Sequence, residues 1–204
     1  MRNINAVLTL GLFFTAVLGD YVVFRSNYIT SQVIRAIVDN LVHATIGCLS
    51  ALIFFNHDLN MTRHACLYNV TFCTLLSSLI DIDHFMVARS LHFKDLFGLK
   101  QRGIFHCTTL WLVITATSFL YSYLCSKNNI LVATFMLFIA FTSHHLRDAN
   151  RRGFWLYPLG HTAAVPTYMY IILTMFLPNV YPHIYFYMKP LMFKHTVVNY
   201  NLVV

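Results

Sequence analysis

Apolar residues run along this chain in long stretches separated by short polar clusters. A helix crosses the hydrocarbon of a bilayer with about 20 apolar residues, and with somewhat fewer when flanking side chains snorkel. Six segments approach that length: Ala6 to Phe24, Leu41 to Phe55, Ala65 to Ile82, Ile104 to Leu124, Ile130 to Ser143 and Val165 to Tyr187. The second and fifth are short, so each is expected to borrow length from its polar flank or to sit partly buried in a bundle. Between the first two, Ser26 to Asn40 places Val33, Ile34, Ile37 and Val38 at helical spacing against a polar face. That pattern predicts an interfacial amphipathic helix leading into the second span. The last segment holds Pro166, Pro178 and Pro182 and ends in the aromatic run "YPHIYFYM", which suits a membrane interface. The expected fold is an all-α polytopic membrane bundle with about six transmembrane or membrane-embedded helices and one interfacial helix, forming a single integral membrane domain over residues 1–204.

Composition sharpens this picture. The chain is 58% hydrophobic with a mean hydropathy of +0.62, and 10% of its residues are charged, against about 25% in soluble domains. All seven acids are Asp, whereas solvated helix faces use Glu freely. The net charge of +7 comes with no basic stripe or nucleic-acid motif, so membrane lipids rather than nucleic acid are the expected partners. With six spans, nine basic residues fall on one side (Arg25, Arg35, Arg89, Lys94, Lys100, Arg102, Arg147, Arg151 and Arg152) and five on the other. The positive-inside rule makes the first side cytoplasmic. The sequons at Asn60 and Asn69 then fall on or near the lumenal side. The N-terminal apolar run carries no small-residue cleavage site and is expected to stay as an anchor. An endomembrane or plasma-membrane location follows, with no sorting signal at "NLVV". Five cysteines without CxxC spacing read as packed thiols.

Ionisable residues cluster at the helix ends nearest the basic side. Asp81, Asp83 and His84 close the third span, His106 opens the fourth, His144 and Asp148 close the fifth, and Asp39 and His43 open the second. Asp39/His43 and His144/Asp148 are spaced i, i+4 and Asp81/His84 i, i+3, so each pair shares a helix face. Imidazole with carboxylate suits zinc first, with iron or manganese as alternatives, as one ion or a bridged pair. Taken singly, His43 fits a structural hydrogen bond and Asp148 an ion pair with Arg151 or Arg152; taken together, the eight favour one shared polar site. His145 points about 100° away from His144 and reads as packing. His57, Asp58, His64 and His161 read as solvated, and Asp20 as a partner of the site or of Arg25. The arginines and lysines around the site read mainly as topology determinants rather than as a phosphate clamp.

The motifs "LIDIDH", "QRGIFHC" and "SHHLRDANRRGFWLYP" resemble, in this order, the DxDH, HRGxTHS and SHxxxDxxTxxGxxxLWP signatures of the bacterial LexA-binding, inner-membrane-associated, metal-dependent hydrolase family. In more detail the chain resembles the animal transmembrane protein 267 family from about Asp39 to Pro178. The resemblance implies Asp81, Asp83, His84, His106, His144 and Asp148 as site residues and His43 as the match to an early family histidine. Gly153 and Pro158 match the glycine and proline after the last motif. Two positions depart: Gln101 replaces the first histidine of HRGxTHS, and Cys107 its serine.

The favoured reading is a membrane-embedded metal-dependent hydrolase whose site opens at the cytoplasmic leaflet. It would hold zinc through His43, Asp81, Asp83, His84, His106, His144 and Asp148, use Asp83 and His106 catalytically, and act on a lipid or lipid-linked phosphoester. A second reading is a catalytically silent membrane protein with a structural metal site or polar network, which Gln101 favours. An ion or proton transporter ranks last, because such sites usually lie at the bilayer midplane.

Overall fold

The computed structural model describes residues 2–193 except 28, 58, 60, 91 and 93–100. Asp58, Asn60, Lys94, Lys100 and Lys194 therefore lie outside the described residues. The chain folds as α1 (Arg2–Asp20), α2 (Gln32–Phe55), α3 (Arg63–Leu79), α4 (Asp83–Ala88), α5 (Thr108–Cys125), α6 (Asn128–Arg152) and α7 (Thr167–Phe193). A two-residue hairpin, β1 (Trp155–Leu156) and β2 (Gly160–His161), sits between α6 and α7. Five helical stretches are long and apolar enough to cross a membrane: 3–25, 32–55, 63–88, 108–125 and 128–152. The sixth expected segment forms α7, which is helical through Pro178, Pro182 and Pro190 but stands outside those five.

The apolar face that a soluble helix would bury points outward here. On α1, Ile4, Val7, Leu10, Phe14 and Leu18 recur at helical spacing and are each more than half exposed, as expected of a lipid-facing stripe. The opposite arrangement holds for α6, which runs through the centre and packs against α2, α3, α5 and α7. Its Leu131, Val132, Phe135, Met136, Ile139 and Ala140 are fully buried. The rings of Phe54, Phe135 and Tyr185 meet at 5.4–5.7 Å and tie α2, α6 and α7 together. Small residues let backbones approach, as between membrane helices generally: a Cβ on Gly47 would overlap the Ser77 side chain, and one on Gly19 would crowd Val42.

Two expectations change. The stretch Ser26 to Asn40 is not a separate interfacial helix; from Gln32 onward it forms the first turns of a continuous α2, capped by Ser31. No proline interrupts Gln32–Phe55, and its polar residues Asp39 and His43 find partners on α6 instead of lying in an interface. The short second and fifth segments thus gain length from their polar flanks, as anticipated. Asn69 sits inside α3, within the third expected span, and donates its side-chain N–H to the Ala65 carbonyl at 2.8 Å.

Arg147 on α6 is not a loop cation either. It is 1% exposed. Its Nε donates to Asp20 Oδ1 at 2.9 Å and its Nη2 pairs with Asp39 Oδ1 at 2.6 Å, joining α6 to the end of α1 and to α2. Beyond Asp20 the first helix widens into a π-helical turn, Tyr21–Arg25, a local rewinding often associated with functional regions. Removing one member of such a buried pair leaves uncompensated charge. Arg147→Met should therefore lower unfolding stability in detergent by about 3–5 kcal/mol, whereas Arg25→Met should change it little; thermal unfolding of the two variants checks this.

Candidate metal centre

Four side chains from three segments converge at one end of the bundle. Asp81 lies in a 3₁₀ turn, Ile80–Ile82, that breaks the helix between α3 and α4. His106 ends a second 3₁₀ turn, Ile104–His106, just before the span of α5 begins. His144 and Asp148 share a face of α6. One ligand atom from each of the four lies within 4.8 Å of the others. His106 Nε2 is 3.2 Å from Asp81 Oδ1, 3.3 Å from Asp148 Oδ2 and 3.4 Å from His144 Nε2. His144 Nε2 is 3.6 Å from Asp81 Oδ1 and 3.8 Å from Asp148 Oδ2. A tetrahedral ion with bonds of about 2.0–2.2 Å has ligand-to-ligand edges of about 3.3–3.6 Å. Five of the six edges of this set, at 3.2–3.8 Å, lie near the tetrahedral values.

Each imidazole is held so that Nε2 faces this centre. His144 donates its Nδ1–H to the Ser77 carbonyl at 2.8 Å, and His106 donates its Nδ1–H to Asp83 Oδ2 at 3.0 Å. These are the outer hydrogen bonds that orient ligating histidines and fix their tautomer. Asp83 is fully buried and also accepts the Phe105 N–H at 2.8 Å. It can approach so closely because residue 103 is glycine, where a Cβ would overlap the Asp83 carboxylate. The Trp111 indole donates to the Phe105 carbonyl at 2.5 Å, and Arg102 donates to the Gly153 carbonyl at 3.0 Å. Residues 102–106 are therefore strapped on both sides.

The remaining expected residues surround the four. His43 stacks on His144 with ring centroids 3.8 Å apart, and its Nε2 lies 3.6 Å from Asp148 Oδ1. His84 donates Nδ1–H to the Asp81 carbonyl at 3.0 Å and lies 3.3 Å from Asp83 Oδ1. Asp83, His84 and His106 form a second close trio. Asp39 does not join; it pairs with Arg147 and, at 3.9 Å, with Arg151. Asp20 partners Arg147 rather than Arg25. Asp148 divides its oxygens: Oδ1 accepts from Arg151 at 2.6 Å while Oδ2 faces His106 and His144. His145 is buried with Nδ1 bonded to the Phe141 carbonyl and packs on that ring at 4.1 Å, as expected of a packing residue. Gln101 is exposed and Cys107 buried. Ser77 and Gly103 were not singled out by sequence: one acts through a backbone carbonyl, the other through a missing side chain, and neither leaves a mark on polar patterning.

The charges around the centre are unevenly met. Arg147 and Arg151 pair with Asp20, Asp39 and Asp148, whereas Asp81 and Asp83 face histidines and pair with no arginine among the described residues. His106, outside the spans, reports this. Burial pushes its pKa down, but hydrogen bonds donated to the Asp148, Asp81 and Asp83 carboxylates outweigh that and push it up to about 11. Those carboxylates favour the protonated imidazole, whose proton a metal ion would displace.

An all-α, multi-pass membrane protein with a His/Asp cluster at one end of its bundle is the class that fold and site define. No family profile matches the chain, and no solved structure matches it. It is 35% identical over 179 residues to transmembrane protein 267 of Danio rerio, covering 84% of this chain and 79% of that protein. It is 36% identical to that of Xenopus laevis over 72% of this chain and 67% of that protein, and 32% identical to that of Bos taurus over 88% and 81%. The chain belongs to the transmembrane protein 267 family.

If these four residues hold zinc, two outcomes follow. Gly103→Ala should displace Asp83, free His106 to rotate, and weaken zinc affinity about 10–100-fold; metal titration of the purified variant reads it. Zinc uptake should release a proton and tighten by about tenfold per pH unit as pH rises from 6 to 8, measured by titration at each pH.

Proposed function

We propose that this protein is a membrane-embedded, metal-dependent hydrolase whose site lies at the cytoplasmic interface. The observation that carries the reading is the near-tetrahedral set of Asp81, His106, His144 and Asp148 with both imidazoles braced from outside. Two nitrogen and two carboxylate donors fit zinc, with iron or manganese as alternatives. A divalent ion there supplies Lewis acidity and a lowered water pKa. The likeness of "DIDH", "QRGIFHC" and "SHHLRD" to the bacterial hydrolase motifs points the same way, and the exposed Gln101 lies at the family's first histidine position without being needed for the four-donor set.

In this reading the chain's residues divide the labour. Asp83, with one oxygen taken up by two donors, fixes His106 rather than serving as a free base. His84 is about one-third exposed, lines the adjacent cavity, and has Nδ1 committed to the Asp81 carbonyl, so it is the histidine placed to take a proton from a water in that cavity. His43 covers one face of His144 and excludes water from it.

Metal analysis of detergent-purified protein tests the proposal. About one equivalent of zinc, iron or manganese in the wild type, lost in monodisperse His106→Ala and His144→Ala, is expected, together with metal-dependent turnover of lipid phosphoesters that His84→Ala reduces about 10²–10⁴-fold. A folded, metal-free wild type would overturn it. Bound metal with no turnover would favour a structural site in a catalytically silent protein.

A further inference from the structure

A cavity of about 560 Å³ opens beside the His/Asp cluster. Its wall carries Asp81 and His84, and Asp39, whose carboxylate is taken up by Arg147 and Arg151. Three arginines also line it: Arg35 from α2, and Arg151 and Arg152 from the end of α6. They are differently occupied. Arg151 is drawn toward Asp148 at 2.6 Å and lies over the Phe24 ring at 4.2 Å. Arg35 uses one terminal nitrogen on the Ile29 carbonyl at 2.9 Å, while its Nε is buried without a hydrogen-bond partner. Arg152 is exposed and has no carboxylate partner among the described residues. Three guanidinium groups around one cavity, with donors to spare, match an anion with several acceptor oxygens.

Apart from Asp39, Asn40 and Ser78, the rest of the wall is apolar. Ile37 and Leu41 of α2, and Leu79 and Ile82 at the end of α3, line the same cavity and are each about half exposed on the surface that the spans present to lipid. An entrance between α2 and α3, bounded by such residues, admits an acyl chain without removing it from hydrocarbon. Water-soluble anions need no such wall.

We infer that this cavity binds a lipid bearing a phosphate monoester or diester. The phosphate sits among Arg35, Arg151 and Arg152, and the acyl chains leave laterally past Ile37, Leu41, Leu79 and Ile82. The inference rests on the hydrolase reading for what happens to the lipid, but not for the binding itself. It gives a positional reason for these three arginines that topology alone does not require: they hold the phosphate beside Asp81 and His84, where the reacting bond would have to lie.

Binding is read with full-length protein in an uncharged detergent, by thermophoretic titration of dioctanoyl phosphatidic acid, dioctanoylglycerol and inorganic phosphate, before and after chelator treatment. Saturable binding of the phosphatidic acid is expected, with dioctanoylglycerol and inorganic phosphate at least about tenfold weaker. Arg152→Gln, at an exposed position, and Arg35→Gln should together weaken phosphatidic acid binding by about tenfold or more. Ile37→Trp, which narrows the lateral entrance, should weaken the lipid and leave inorganic phosphate unchanged. Equal binding of the phosphatidic acid by folded Arg35→Gln/Arg152→Gln protein would overturn the inference. So would inorganic phosphate binding as tightly as the lipid, which would assign the arginines to a soluble anion. Lipid binding that survives in a wild type found to be metal-free would remove the hydrolase reading and leave this one standing. Bound zinc, with lipid binding indifferent to all three substitutions, would do the reverse.

Discussion

Carboxylates placed among membrane helices must find their counter-charge within the protein, because hydrocarbon offers neither water nor salt. That constraint organises the basic end of this molecule. Arg147, buried on α6, is shared by Asp20 and Asp39 and so pins α1 and α2 to the central helix. At the very next residue, Asp148 gives one oxygen to Arg151 and turns the other toward His106 and His144. Asp81 faces the same histidines with no arginine of its own among the described residues. The unpaired remainder of negative charge is thereby gathered at one point, where two imidazole nitrogens also converge.

Rigidity around that point comes from backbone groups and small residues. The Ser77 carbonyl holds His144. Ser77 itself bonds the Ala140 carbonyl and Ser143 on α6, and sits against Gly47 of α2. Three helices therefore meet where the histidine is oriented. Across the centre, Gly103 lets Asp83 reach the Phe105 N–H and His106 together. Such supports around a candidate donor set restrict how far its side chains can move, which would lower the cost of binding a metal there.

Alongside this braced centre lies a cavity of mixed character, apolar toward lipid and cationic toward the interface. The combination places an amphiphile's charged group next to the His/Asp cluster while its chains stay in hydrocarbon. A membrane-facing portal and a polar interior site are two parts of one arrangement in this fold, since α2 and α3 contribute both the portal residues Ile37 and Leu79 and the braces His43 and Ser77.

Much of this could be read along the chain. Long apolar runs specify membrane helices because the hydrocarbon dictates their length, and His/Asp pairs at i, i+3 and i, i+4 lie on one helix face whatever surrounds them. The four converging residues Asp81, His106, His144 and Asp148 were therefore legible as candidates from spacing and helix ends alone. Spacing could not separate them from Asp39, which has the same i, i+4 relation to His43 but is claimed by Arg147. Nor could it distinguish Arg147, three residues beyond His144, from Arg151 and Arg152 at the end of the same helix. The interfacial helix anticipated over Ser26 to Asn40 merged into α2 because its polar residues met partners on α6. Local pattern determined the helices and the inventory of polar groups. Tertiary packing decided which charges neutralise each other, which nitrogen of each histidine faces inward, and which arginines line a cavity, because those depend on distances between segments up to 127 residues apart in sequence.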